Sequence, residues 1–125
     1  MDLVASKQDY ARKQLREAGL EEFVAWHVGD ATQVLRDLSG PFDFVLLDLW
    51  KNLYVSCLEL FYPKLEENAV IVADNMLFPE AARPDAHAYR AAVRAKGTLQ
   101  SVLLPVGNGI ELSCLWRGAS QPFAR

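Results

Sequence analysis

Asp48-Leu49-Trp50-Lys51 and Asp74-Asn75 are the residues of this chain whose types and placement suit chemistry. Each set follows an apolar run: Phe42-Asp43-Phe44-Val45-Leu46-Leu47 before Asp48, and Ala69-Val70-Ile71-Val72-Ala73 before Asp74. Such runs predict buried strands. In open α/β sheets, ligands bind beyond the carboxyl ends of parallel strands. Two carboxylates and an amide delivered there from neighbouring strands make a set of hard oxygen donors suited to Mg2+ or Ca2+. Lys51 then lies beside the cation, in surroundings that favour loss of its proton. The plainer reading stands next to it. Asp48 and Asp74 could cap the following helices or bond turn amides, and Lys51 could be a solvated lysine at a helix start.

The elements that must position these residues alternate between strand and helix patterns, as a βαβ architecture requires. Asp2 to Ala5 reads as the tail of a strand. Ser6-Lys7-Gln8-Asp9 reads as a capping box with Ser6 as N-cap, opening a helix to about Ala18. Gly19 falls where a left-handed C-terminal cap is wanted. Phe23 to Val28 alternates and predicts a strand, and Ala31 to Leu38 a helix that Asp30 could cap. Ser39-Gly40-Pro41 is a turn. Phe42 to Leu47 predicts a strand covered on both faces. Lys51 to Phe61 predicts a helix, Ala69 to Ala73 a strand, Met76 to Arg83 a loop, and Asp85 to Lys96 a helix that Pro84 helps to start. Thr98 to Leu104 and Ile110 to Trp116, joined by Pro105-Val106-Gly107-Asn108-Gly109, predict an antiparallel hairpin at a sheet edge. The expected organisation is one partial domain over 1–117 and a C-terminal tail over 118–125.

Composition narrows the classes. A chain of 125 residues suits one domain. With 51% hydrophobic and 23% charged residues it has the means to fold, so general disorder is not expected. A net charge of −3 speaks against a nucleic-acid backbone as partner. Cys57 and Cys114 lack metal-ligand spacing and read as small buried hydrophobes, which fits a reducing cytoplasm. No apolar run reaches membrane-spanning length. His27 and His87 have no second ligand beside them in the sequence and read as structural.

From about Asp2 to Trp116 the chain resembles class I S-adenosylmethionine-dependent O-methyltransferases of the catechol and caffeoyl-CoA type. The resemblance is carried by Ala11-Arg12, Leu15 and Ala18-Gly19-Leu20, by Gly29-Asp30-Ala31, and by Phe42 to Tyr54. Val72-Ala73-Asp74-Asn75 and Leu104-Pro105-Val106-Gly107-Asn108-Gly109-Ile110-Glu111 complete it. It implies a Rossmann-like methyltransferase fold, with a mostly parallel sheet and a C-terminal antiparallel hairpin. It implies S-adenosylmethionine and Mg2+ or another divalent cation as cofactors. Asp48, Asp74 and Asn75 would then be metal ligands, and Lys51 the general base for the acceptor hydroxyl. Asp2 would meet the cofactor ribose, and Asp30 and Ala31 the adenine. Asp48 and Trp50 would also lie in the cofactor site, and Trp50 would line the acceptor pocket. The acceptor would be small, hydroxylated and aromatic.

Two features depart from the family pattern. The family's first strand and Gly-rich cofactor turn precede the ribose acid, and only Met1 precedes Asp2 here. Leu49 stands where the catechol-type branch has a histidine. Three arrangements would accommodate the first departure: a piece of a longer protein, a gap filled by a second copy, or a re-ordered sheet. Two functions follow. One is a metal-assisted O-methyltransferase. The other is a non-catalytic, truncated domain acting as an oligomerising or interaction module. An open sheet edge predicts a homo-oligomer in either case. Trp50 and Tyr54 are expected to pack against their helix, and Glu111 to act as a cross-strand partner or to support the site from behind.

Overall fold

The computed structural model describes residues 1–118. They divide into two compact units, Met1–Ser39 and a second unit from Gly40 onward. Within the second, residues 119–125 of the expected tail lie outside the described residues.

The first unit is built on α1 (Ala5–Glu17) and α2 (Ala31–Asp37), with a 3-10 turn at Glu21–Phe23 between them. Val4 rather than Ser6 is the N-cap of α1, and no side chain caps that end. Asp2 does the local work instead, its Oδ1 accepting from Val4 N at 2.8 Å. The far end of α1 closes as its sequence predicts. Gly19 has φ +70°, its amide bonds Arg16 O at 3.0 Å, and Leu20 N bonds Leu15 O at 2.8 Å. This is the paired arrangement that a left-handed residue after a helix permits. The strand expected at Phe23–Val28 does not form. Glu21–Phe23 is helical, and the extended part is reduced to one parallel bridge, Asp2 with Val28. Phe23 and Val28 are exposed and Val24 and Trp26 half-buried, and beyond that bridge the segment has no strand partner among the described residues. The bridge is braced from α1 by Gln8, a buried residue whose side-chain amide donates to the carbonyls of Asp2 and His27.

The second unit holds a four-stranded sheet in the order β1-β2-β4-β3, with β1 Phe42–Leu47, β2 Leu65–Ala73, β3 Leu99–Leu104 and β4 Ile110–Leu115. β1 and β2 run parallel and are joined through α3 (Tyr54–Phe61). α4 (Arg83–Ala95) leads from β2 into the antiparallel hairpin β3–β4, and β4 pairs antiparallel with β2. The parallel share of the sheet is smaller than its sequence suggests, because the hairpin supplies two of the four strands. The site-bearing strand β1 has the predicted bounds.

The core lies on one face of this sheet. Tyr54, Cys57, Leu58 and Phe61 of α3 and Ala86, Tyr89 and Val93 of α4 are buried together with Leu47, Ile71, Ala73 and Leu115 of the strands. Glu111 and Ser113 share that face with Leu115, as the period of two along β4 requires. Glu111 is fully buried and accepts from Arg90 Nε at 2.9 Å, Arg94 Nη2 at 3.3 Å and Ser101 Oγ at 2.9 Å. It thus ties both strands of the hairpin to α4. On the opposite face β1 is not covered, contrary to its expectation, while Val70, Val72, Leu112 and Cys114 are half-buried. Phe44 and Leu46 are 57% and 59% exposed, and β1 forms one edge of the sheet.

Candidate functional site

The chain leaves β1 at Leu47 and β2 at Ala73 side by side, since these two residues are partners in the parallel ladder. The amide of Asp74 continues that ladder by bonding Leu47 O at 3.0 Å. Asp48 and Asp74 therefore emerge at the same end of adjacent strands. Asn75 turns away from the strand with φ +59°, a left-handed conformation that asparagine tolerates better than most residues. Asp74 Oδ1 accepts from the Asn75 amide at 2.6 Å and holds that turn.

Lys51 closes the cluster. Residues Lys51–Leu53 form a 3-10 turn that runs directly into α3. The Lys51 ammonium donates to Tyr54 Oη at 2.8 Å, to Leu49 O at 3.3 Å and to Asn75 Oδ1 at 3.3 Å. Burial pulls the pKa of Lys51 below the usual lysine range, while the carboxylates of Asp48 and Asp74 oppose that shift. Four of the expected residues, Asp48, Lys51, Asp74 and Asn75, are thus brought together at the carboxyl ends of β1 and β2. Trp50 is 76% exposed beside them, at the start of the 3-10 turn.

Sequence reasoning gave Tyr54 a packing role only. Its ring does pack, edge-on to Tyr89 at 5.4 Å between centroids. Its hydroxyl does more. It donates towards Leu47 O at 2.9 Å and Asp74 O at 3.1 Å while accepting from Lys51. Burial raises the pKa of this phenol far above the usual tyrosine value, so it stays protonated. The legible signal was the spacing from Lys51. Residues three apart eclipse one another in a 3-10 turn.

The loop after Asn75 is fixed from the hairpin. Met76 N bonds Gly109 O at 2.9 Å and Leu77 N bonds Asn108 O at 2.8 Å. Gly109 has φ +88°, and a Cβ there would stand 2.5 Å from Leu77 Cγ.

The remaining expected residues lie in the first unit. Asp30 is the N-cap of α2, and its Oδ1 accepts from Thr32 N at 2.9 Å and Gln33 N at 3.2 Å. Ala31 is the first residue of that helix. Asp2 and the Gly29-Asp30 turn are adjacent, because Asp2 N bonds His27 O at 3.2 Å and Gly29 N bonds Asp2 O at 3.0 Å. Among the described residues no three His, Cys, Asp or Glu side chains gather as a metal cluster. The expected donor set is of a different kind, two carboxylates and one amide. No helix of the described residues is long and apolar enough to cross a membrane.

A sequence model of a family described as a methyltransferase domain matches residues 2–76. The chain belongs to that family. Its fold is that of the class I S-adenosylmethionine-dependent O-methyltransferases, and solved structures bear this out. A protein from Corynebacterium glutamicum is 16% identical, with a TM-score of 0.86 over 96% of this chain and 61% of that one. The O-methyltransferase TomG from Streptomyces achromogenes, involved in tomaymycin synthesis and solved with SAM, is 22% identical, with a TM-score of 0.82 over 92% and 60%. Cofactor-bound Rv0187 from MTB is 25% identical, with a TM-score of 0.81 over 91% and 59%. The chain spans about three fifths of the length of these structures.

Proposed function

We propose that residues 1–117 serve methyl transfer from S-adenosylmethionine to a hydroxyl of a small aromatic acceptor, with Lys51 as base and Asp48, Asp74 and Asn75 as donors to a divalent cation. The observation that supports this most is the contact of Lys51 Nζ with Asn75 Oδ1 at 3.3 Å, in the field of Asp48 and Asp74, at the ligand-binding end of two parallel strands. The donor chemistry fits Mg2+, which prefers carboxylate and carbonyl oxygen.

When bound, the sulfonium supplies an electrophilic methyl group and the cation eases ionisation of the acceptor hydroxyl. The chain's own residues do the rest. Lys51 accepts the hydroxyl proton at Nζ. Trp50 offers an exposed aromatic surface for an aromatic acceptor. Asp2 and Asp30, with Ala31 at the head of α2, would meet the adenosine part of the donor. Leu49 has no side-chain hydrogen-bonding group to offer a ligand. TomG with SAM and an O-methyltransferase from Bacillus cereus with SAH support the choice of donor. A cytoplasmic setting and a small acceptor, rather than a nucleic acid, go with the net charge of −3 and the two thiols.

Calorimetric titration with S-adenosylmethionine, with and without Mg2+, tests the reading. Saturable heat that Mg2+ or an acceptor catechol modifies is the expected result. No heat at millimolar donor would count against it. A second reading, a self-associating module without catalysis, is favoured by the open β1 edge with Phe44 and Leu46 exposed.

A further inference from the structure

We infer that Tyr54 is the residue that positions Lys51, by fixing its ammonium to the ends of β1 and β2. The inference rests on the reading of Lys51 as the base and deepens it. A lysine side chain is a flexible four-carbon stem, so a base on it needs an anchor. Lys51 has three acceptors within hydrogen-bond distance. Leu49 O is a neighbour two residues away and offers little constraint. Asn75 Oδ1 is the atom that the proposed function assigns to a cation. Tyr54 Oη is the nearest of the three at 2.8 Å and has no competing role.

Tyr54 is also the best-fixed of them. It is fully buried, and its ring meets Tyr89 edge-on, with the planes 82° apart. Its single hydroxyl proton points to the carbonyls of Leu47 and Asp74. That commitment leaves the oxygen's remaining lone-pair direction for a donor, and the donor is Lys51. The ammonium also lies 4.4 Å from the centre of the Tyr54 ring. One phenol thus joins the last residue of β1, the first residue past β2 and the lysine between them. The i, i+3 spacing across a 3-10 turn brings the two side chains together.

The test follows the Lys51 side chain by NMR in the whole chain, with Tyr54→Phe and Asn75→Ala as variants. In the wild-type protein, the two Hε protons should resolve and show cross-peaks to the Tyr54 ring. Tyr54→Phe keeps the ring and removes the acceptor. It should collapse the Hε splitting and lower the side-chain order parameter, while Asn75→Ala leaves both in place. Unchanged Lys51 order in Tyr54→Phe overturns the inference. Should that variant not fold, averaged Hε signals without ring cross-peaks in the wild-type protein overturn it equally. Where methyl transfer is measured, Tyr54→Phe should lower kcat by roughly 10- to 100-fold with the acceptor KM unchanged, the signature of a misplaced group. A Lys51→Met variant separates the two claims. Full turnover without Lys51 removes the base role, whereas the NMR result on Tyr54 stands or falls by itself.

Discussion

Lys51 has three hydrogens and three acceptors, and each acceptor comes from a different part of the chain: a nearby carbonyl, a helix tyrosine and an amide past the next strand. The motif Asp48 to Lys51 with Asp74-Asn75 was legible because polar residues directly after apolar runs have few structural uses at that end of a sheet. Tyr54 was hidden because a tyrosine at helical spacing among Cys57, Leu58 and Phe61 reads as core, and it is core. Asp30 was legible as a cap. Its carboxyl is held below the usual carboxylate range, chiefly by the Thr32 hydroxyl and then by the Gln33 amide. A depressed pKa in the folded state means that the cap stabilises above the ordinary carboxylate range and is lost as pH falls through the depressed value. Acid titration by NMR should therefore move the Thr32 and Gln33 amides with a midpoint below that of an unstructured aspartate, and Asp30→Asn should abolish the transition. Glu111 carries the opposite lesson. Removing it leaves Arg90 and Arg94 without their shared anion. Glu111→Ala should cost towards the lower end of roughly 3–5 kcal/mol, because both guanidinium groups still reach water. Urea denaturation measures it.

The elements whose sequences state their own ends were read well. β1 was bounded by a turn and by Asp48, and α1 was closed by Gly19 in its left-handed conformation. The failure at Phe23–Val28 has a physical cause. Alternation marks a strand only where one face meets an apolar layer, and there a single bridge to Asp2 is all that forms. The clamp between the hairpin turn and the loop past Asn75 was not legible, because it consists of backbone bonds between segments about thirty residues apart. It yields a sharp expectation. Gly109→Ala places a methyl group against Leu77 at a backbone angle that L residues rarely adopt. It should cost on the order of 1–3 kcal/mol. Hydrogen exchange should speed up at the Met76 and Leu77 amides first, while the β2–β4 ladder stays protected.

At the scale of the whole molecule, the exposed Phe44 and Leu46 and the edge of β1, unpaired among the described residues, predict self-association in solution. Sedimentation should show dimers or larger species, and Leu46→Lys should shift them towards monomer without changing the circular dichroism. A wild-type monomer at working concentration would contradict this. The two units differ in another way. Gln8 and Leu35 are the buried side chains described in the first, whereas the second has a continuous set of buried aromatic and aliphatic residues from Tyr54 to Leu115. The smaller buried set of the first unit should make it loosen at a lower temperature than the second. Far-ultraviolet ellipticity from α1 and α2 should fade first, while the near-ultraviolet signal of the Tyr54–Tyr89 pair persists. A melting curve read with one probe would then report the temperature at which one unit of the protein, not all of it, comes apart.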